Sequence, residues 1–185
     1  MKQVGEGLPD TDRTMEFQHL LAWNYRTQEL PCAFGRSQLA RLAAVNATGQ
    51  RNAAIVGEYL KDLPGVRAPH IPAECVSVYH KYRITLVPEQ LKTKLRGAAL
   101  RDAFMKALRA RDVDVDLWGN APLCAHPMMQ ARFPEDRPEA YPRTVEMFAN
   151  SFCLTNDEYP IYAQPEPVMH AYGEAIRAVA QGVLE

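Results

Sequence analysis

From Thr27 onward the apolar residues Leu30, Phe34, Leu39, Leu42, Val45, Ala53, Val56, Leu60 and Leu63 recur at spacings mostly of three and four. That is helical periodicity sustained over more than ~30 residues. Pro31 is tolerable only in a first turn, where a missing N–H costs little, so the helix starts near Thr27. Gly49, with Asn46 and Thr48 nearby, marks a point where the helix bends or divides, and Pro64-Gly65 ends it. A helix this long with an apolar stripe must lie across something larger than itself.

Residues 67–73, punctuated by Pro69 and Pro72, read as a linker into a second unit. Val76, Val78, His80, Tyr82, Ile84 and Leu86 then alternate with Ser77, Tyr79, Lys81, Arg83 and Thr85. This predicts a strand of about ten residues with His80 on its apolar face. A basic loop over 88–97 leads to an amphipathic helix carrying Leu100, Phe104, Ala107 and Leu108, and Val113, Val115 and Leu117 form a second, shorter strand. Residues 118–142 hold Gly119 and five prolines, so they predict an extended excursion of the kind that serves as a lid, a binding loop or a subunit contact. A short helix over 141–148, a third strand over 151–155 and a final helix complete the order. Pro165 and Pro167 introduce that helix, and Met169, Tyr172, Ile176, Val179 and Val183 line one side of it. Strands and helices in this order predict an α+β class: a long helix, then a small α+β domain with helices on one face of a short, largely antiparallel sheet. The boundary falls between residues 1–65 and 66–185.

Residues 1–14, with Gly5, Gly7 and Pro9, read as a loop or an arm. Residues 22–30 join this polar lead-in to the long helix, so Asn24 and Arg26 stand where a loop enters a helix. Unpaired N–H groups and the positive end of the helix dipole favour an anion there, and an Asn amide and an Arg fork add donors. A plain capping role for the polar residues is the structural alternative.

Composition narrows the partners. With 21 basic and 22 acidic residues the net charge is −1, which makes no electrostatic case for nucleic acid or an anionic membrane. No apolar run approaches a membrane span and the start Met-Lys-Gln-Val-Gly-Glu-Gly lacks the apolar segment of a signal peptide, so a cytoplasmic protein is expected. Cys32, Cys75, Cys124 and Cys153 are spaced singly and read as reduced, mostly buried thiols. Cys124 and His126 form the only close Cys/His pair, too little for a metal site, and no metal is expected.

Five segments together carry a resemblance. Ala22-Trp23-Asn24-Tyr25-Arg26-Thr27-Gln28-Glu29 resembles the Gly-x-Asn-Tyr-Arg-Met-x-Glu segment of the DegT/DnrJ/StrS family of PLP-dependent sugar aminotransferases, of fold type I, with Ala22 and Thr27 in place of Gly and Met. Ala33-Phe34-Gly35-Arg36-Ser37-Gln38-Leu39 is similar to its Ala-x-x-Gly-x-x-Gln-Leu, and Tyr79-His80-Lys81-Tyr82 to its His-x-Tyr strand. Residues 121–127 resemble its Pro-Leu-x-x-x-Pro loop, and Cys153-Leu154 with Met169 to Val179 its closing strand and helix.

The resemblance implies that residues 1–65 are the end of an incomplete large, cofactor-binding domain and 66–185 the small domain. It implies that Asn24 reaches across a dimer interface to the phosphate of PLP held by the other subunit, with Arg26 beside it, and that His80 and His126 lie on the substrate side of the cleft. Lys2-Gln3-Val4-Gly5-Glu6-Gly7 resembles the family's Lys-x-x-x-x-Gly-Glu-Gly but is two residues shorter, which makes Lys2 the candidate Schiff-base lysine. The upstream α/β part that supplies most of a PLP site is not in this sequence. The expected function is therefore the C-terminal portion of an aminotransferase for a keto-sugar or cyclitol, in a nucleotide-sugar or secondary-metabolite pathway. It would act as a homodimer or with a complementary N-terminal subunit, as a split or truncated enzyme sharing PLP with that subunit. A non-catalytic assembly partner that keeps only the dimer surface is the alternative. An unrelated α+β binding domain would instead pack the long helix within its own chain, leaving no exposed apolar stripe.

Overall fold

The computed structural model describes residues 27–119 and 121–182. The chain divides into two units, Met1–Ala43 and Ala44–Glu185. The described part of the first unit is the beginning of helix α1 (Glu29–Leu60), which is uninterrupted at Gly49. The helix is thus not divided there, and the glycine has a packing role. A Cβ on Gly49 would sit 3.0 Å from the Val78 carbonyl oxygen and 3.4 Å from Tyr162 Cβ, so this glycine lets the helix backbone approach its neighbours.

The second unit is built on a four-stranded sheet in the order β1-β2-β4-β3, with every neighbouring pair antiparallel. Its strands are β1 (Val66–Arg67), β2 (Tyr82–Leu86), β3 (Val115–Asp116) and β4 (Ser151–Leu154). The last strand in sequence, β4, lies between β2 and β3, pairing Ile84 with Phe152 and Val115 with Leu154. The predicted α+β class with a largely antiparallel sheet is the observed one. Helices α2 (Gly97–Arg109), α3 (Pro127–Arg132), α4 (Pro142–Asn150) and α5 (Glu166–Gln181) complete the unit.

One core holds these elements together. Tyr82, Ile84 and Leu86 of β2 and Phe152 and Leu154 of β4 are buried with Val56 and Leu60 of α1, Leu100, Phe104 and Leu108 of α2, and Met169, Ile176 and Val179 of α5. The rings of Phe104 and Phe152 meet at 5.8 Å. Burying side chains of this size is the main favourable contribution to folding, roughly 1.5–3 kcal/mol for each large one. Polar bonds then set the register between distant segments. Tyr172 Oη donates to Asp114 Oδ2 at 3.0 Å, the Asp114 N–H donates to Tyr172 Oη at 3.3 Å, and the Thr155 N–H donates to the Asp114 carbonyl at 2.7 Å.

Three expectations need correction. The strand expected over 76–86 is paired only from Tyr82, because Tyr79 takes a left-handed φ of 51° and its N–H turns back to Ser77 Oγ at 3.1 Å. Val76 and Val78 are consequently exposed. Residues 66–67, placed at the edge of a linker, form β1: Gly65 at φ 79° turns the chain after α1 so that Val66 pairs with Leu86. The excursion over 118–142 is not extended. It is folded into a 3-10 turn (Leu123–Ala125), α3 and a second 3-10 turn (Pro138–Ala140), with proline opening α3 and the second turn.

Candidate functional site

The groups with chemical capacity gather where β2 begins. His80 and Lys81 precede the strand, Arg83 lies within it, and Trp118 follows β3. The edge of the His80 ring meets Trp118 at 5.6 Å and 84°, and the Lys81 ammonium stands 5.5 Å from the same indole. Arg83 Nη1 donates to Ser151 Oγ at 2.9 Å, and its Nη2 reaches the Trp118 carbonyl at 3.4 Å. Lys81 also pairs with Asp157, whose carboxyl is held below the usual carboxylate range by that hydrogen bond and charge. The result is an exposed indole flanked by an imidazole and the Lys81 ammonium, a surface able to take a planar group.

His80 belongs to this cluster, but it is exposed and outside the strand. The expected place on an apolar strand face is overturned by the turn at Tyr79, which ends the alternation two residues before the ladder starts. His126 is exposed at the junction between the first 3-10 turn and α3, where its carbonyl accepts from the Gln130 N–H at 3.0 Å. No hydrogen bond, ion pair or ring contact among the described residues joins it to His80. Lys2, Asn24 and Arg26 lie outside the described residues. Lys81, Arg83, Trp118 and Asp157 were not singled out by sequence. The signal available for them was slight: Lys81 and Arg83 share the polar face of the alternating run, and a lone Trp opens the proline-rich segment.

Cys153 lies opposite Arg83 in the ladder and is buried. Burial pushes its thiol up, an effect opposed by the Arg83 charge and by a hydrogen bond with the Trp118 backbone. It is thus an unreactive thiol. Cys32 and Cys75 are exposed and Cys124 partly so, against the expectation of mostly buried thiols, because the turn at 72–75 and the start of α1 are not covered. Residues 122–144 enclose a cavity of about 260 Å³ lined by Leu123, Cys124, Met129, Asp136, Tyr141 and Thr144 among others. Tyr141 Oη donates to Asp136 Oδ1 there at 2.7 Å, and that bond raises the phenol above its ordinary pKa.

The described residues do not form a PLP site by themselves. Lys81, the lysine of the cluster, is engaged by Asp157, and the Arg83 guanidinium is bonded to Ser151 and Trp118, so neither stands free to hold an aldehyde or a phosphate.

Residues 2–160 match the DegT/DnrJ/EryC1/StrS aminotransferase family. Among solved structures, S. venezuelae DesV is similar with a TM-score of 0.73 at 21% identity, covering 93% of this chain and 42% of that one. An aminotransferase of the same family from Brucella abortus has a TM-score of 0.67 at 19% identity, over 97% of this chain and 41% of that one. The E coli GDP-4-keto-6-deoxy-D-mannose-3-dehydratase, solved with bound hydrated PLP, has 0.65 at 14%, over 95% and 43%. No curated protein sequence matches the chain. These likenesses establish the fold, and the chain spans less than half the length of each of these solved structures.

Proposed function

Since the chain belongs to the DegT/DnrJ/EryC1/StrS aminotransferase family, we propose that it is the C-terminal portion of a PLP-dependent aminotransferase acting on a keto-sugar or cyclitol. Its complete site needs a complementary large-domain subunit. The observation that carries this reading is the start of α1. Leu30, Phe34 and Leu39 are 84%, 68% and 69% exposed. At 100° per residue, Leu30, Phe34, Val45, Leu42 and Leu39 spread over about half the helix circumference. Arg36, Ser37, Gln38 and Arg41 are interspersed on the same turns. A wide, largely apolar face that no described residue covers is one for another element to cover. The exposed stripe also speaks against a self-contained binding domain.

In this reading residues 1–65 end the large domain and 66–185 form the small one. Asn24 contacts the phosphate of PLP held mainly by the other subunit, with Arg26 adding charge nearby, and Lys2 is the candidate amine. His80, with Trp118 and Lys81, faces the keto substrate, and His126 lies on the same side. PLP, when bound, supplies the electron-accepting ring that amino transfer needs.

The test is PLP retention after desalting, with this chain alone, with a chain carrying the missing domain, and with both. Retention only in the mixture is expected. Asn24→Ala should lower it by about 1 to 3 kcal/mol, the cost of a lost hydrogen bond to a charged group. A complex that forms normally but retains no PLP, with or without Asn24, would indicate an assembly partner and not a split enzyme.

A further inference from the structure

Trp118 is 53% exposed, and a single apolar side chain in water needs no special reason. What sets this one apart is that it is held. Its carbonyl accepts from Arg83 Nη2 at 3.4 Å, and the other arm of that guanidinium is fixed to Ser151 Oγ of β4 at 2.9 Å. Gly119 follows at φ 82°, and a Cβ there would lie 3.1 Å from the Phe148 ring, so the chain after the indole is pressed against α4. The His80 ring stands at 84° to the indole, 5.6 Å away, and the Lys81 ammonium lies 5.5 Å from it. A ring braced in this way has already lost the freedom that binding would otherwise cost it.

Charge narrows what the indole can take. The Lys81 ammonium is engaged by Asp157, and the two sum to no net charge. An anion would be repelled by Asp157, and a cation by Lys81. The Asp157 side chain is 85% exposed, so its carboxylate keeps the capacity to accept further hydrogen bonds. A neutral ring with C–H groups on its face and hydroxyls at its rim suits both surfaces at once. We propose that the Trp118 indole is the platform on which the saturated, hydroxylated ring of the substrate stacks, with rim hydroxyls donating to Asp157. This rests on the reading of the chain as part of a keto-sugar or cyclitol aminotransferase, and it adds what holds the ring. Contact between a flat C–H face and the indole selects a cyclic substrate over an open chain.

NMR on the 185-residue chain tests it, with methyl β-D-glucopyranoside as the probe. Its ring substituents are all equatorial, so both faces present C–H groups. Saturation transfer to the ring protons is expected, with a saturable shift of the Trp118 indole N–H in a Trp23→Phe background. D-Sorbitol has the hydroxyls without a ring face, and uracil a planar ring without hydroxyls. Each should bind at least about tenfold more weakly. Trp118→Ala should abolish saturation transfer and Trp118→Tyr, which keeps a flat ring, should retain it. No saturable shift up to about 50 mM would overturn the proposal, as would sorbitol or uracil binding as tightly as the glucoside. If a variant fails to fold, the ligand comparison on the parent chain still decides it. PLP does not enter this measurement. Glucoside binding without PLP retention in the two-chain mixture would leave the platform standing and refute the aminotransferase reading, and the converse would refute the platform alone.

Discussion

The Asn52 side-chain amide donates to the Ile161 carbonyl at 2.7 Å across 109 residues of sequence, and to the Gln164 carbonyl at 2.8 Å. Asn52 is fully buried, so this one amide ties the second half of α1 to the 3-10 turn that precedes α5. Asn52→Ala leaves the Ile161 carbonyl buried without a donor and removes the bond to the partly buried Gln164 carbonyl, at a cost of about 2 to 4 kcal/mol. Urea unfolding followed by circular dichroism measures it, and an unchanged midpoint would show that water replaces the amide freely.

Helices α1 and α5 also meet at Gly173, where an added Cβ would lie 2.3 Å from Tyr59 Cδ2 and 3.0 Å from Tyr59 Cβ. Gly173→Ala therefore overpacks the crossing and should destabilise the chain by about 1 to 3 kcal/mol. The double variant with Tyr59→Ala should recover part of that loss, since it removes the ring the methyl strikes. A full loss in the double variant would mean that the helix backbone itself cannot accept the side chain.

Stability should fall on the alkaline side. Burial, and to a lesser degree the charge of Tyr79, raises the Tyr82 phenol above its ordinary pKa of 10.0. A group raised in the folded state contributes stability that is fully present below its unfolded pKa and is lost as pH rises through the folded one. The loss from Tyr82 thus begins near pH ~10 and grows above it. Burial raises Cys153 in the same sense from 9.0, so its part begins about one pH unit lower. Chemical melts across this range should show the decline in the parent and a shallower one in Tyr82→Phe.

The acid side has the opposite sign. Asp157 is held low by Lys81, first through the hydrogen bond and then through charge. Its pairing is present above the ordinary carboxylate pKa of 3.8 and is lost as pH falls through the lowered value. Releasing Lys81 alters the environment of Trp118, 5.5 Å away. In a Trp23→Phe background, which leaves one of the two tryptophans, emission should change below pH ~4, and Asp157→Asn should abolish the change. An identical titration in Asp157→Asn would detach the ion pair from the indole.

The start of α1 offers a test of assembly. Phe34→Asp places a charge in the exposed apolar stripe, where nothing in the described residues covers it. The small domain should melt as before while binding to a large-domain chain falls at least about tenfold in a pull-down titration. Unchanged binding would show that the stripe is not the contact.

Periodicity alone located α1, α2 and α5 and identified the class, because a helix with one buried side must repeat its apolar residues every three or four positions whatever it packs against. Prolines at the opening of α5 marked its start by the same local rule. Five short segments were enough to indicate the family before any geometry was known. What sequence could not decide is where distant backbones approach. Val76 and Val78 alternate like a strand, yet no neighbour pairs with them, because Tyr79 turns the chain before the ladder begins. Gly49 looks like a flaw in a helix until Val78 and Tyr162 are seen against it. Trp118 joins His80 and Lys81 only because β4 inserts between β2 and β3 and brings their ends together. Alternation and helical spacing report which side of a segment is buried. Pairing, close approach and the gathering of a site depend on residues distant in sequence, and only the folded chain brings those into contact.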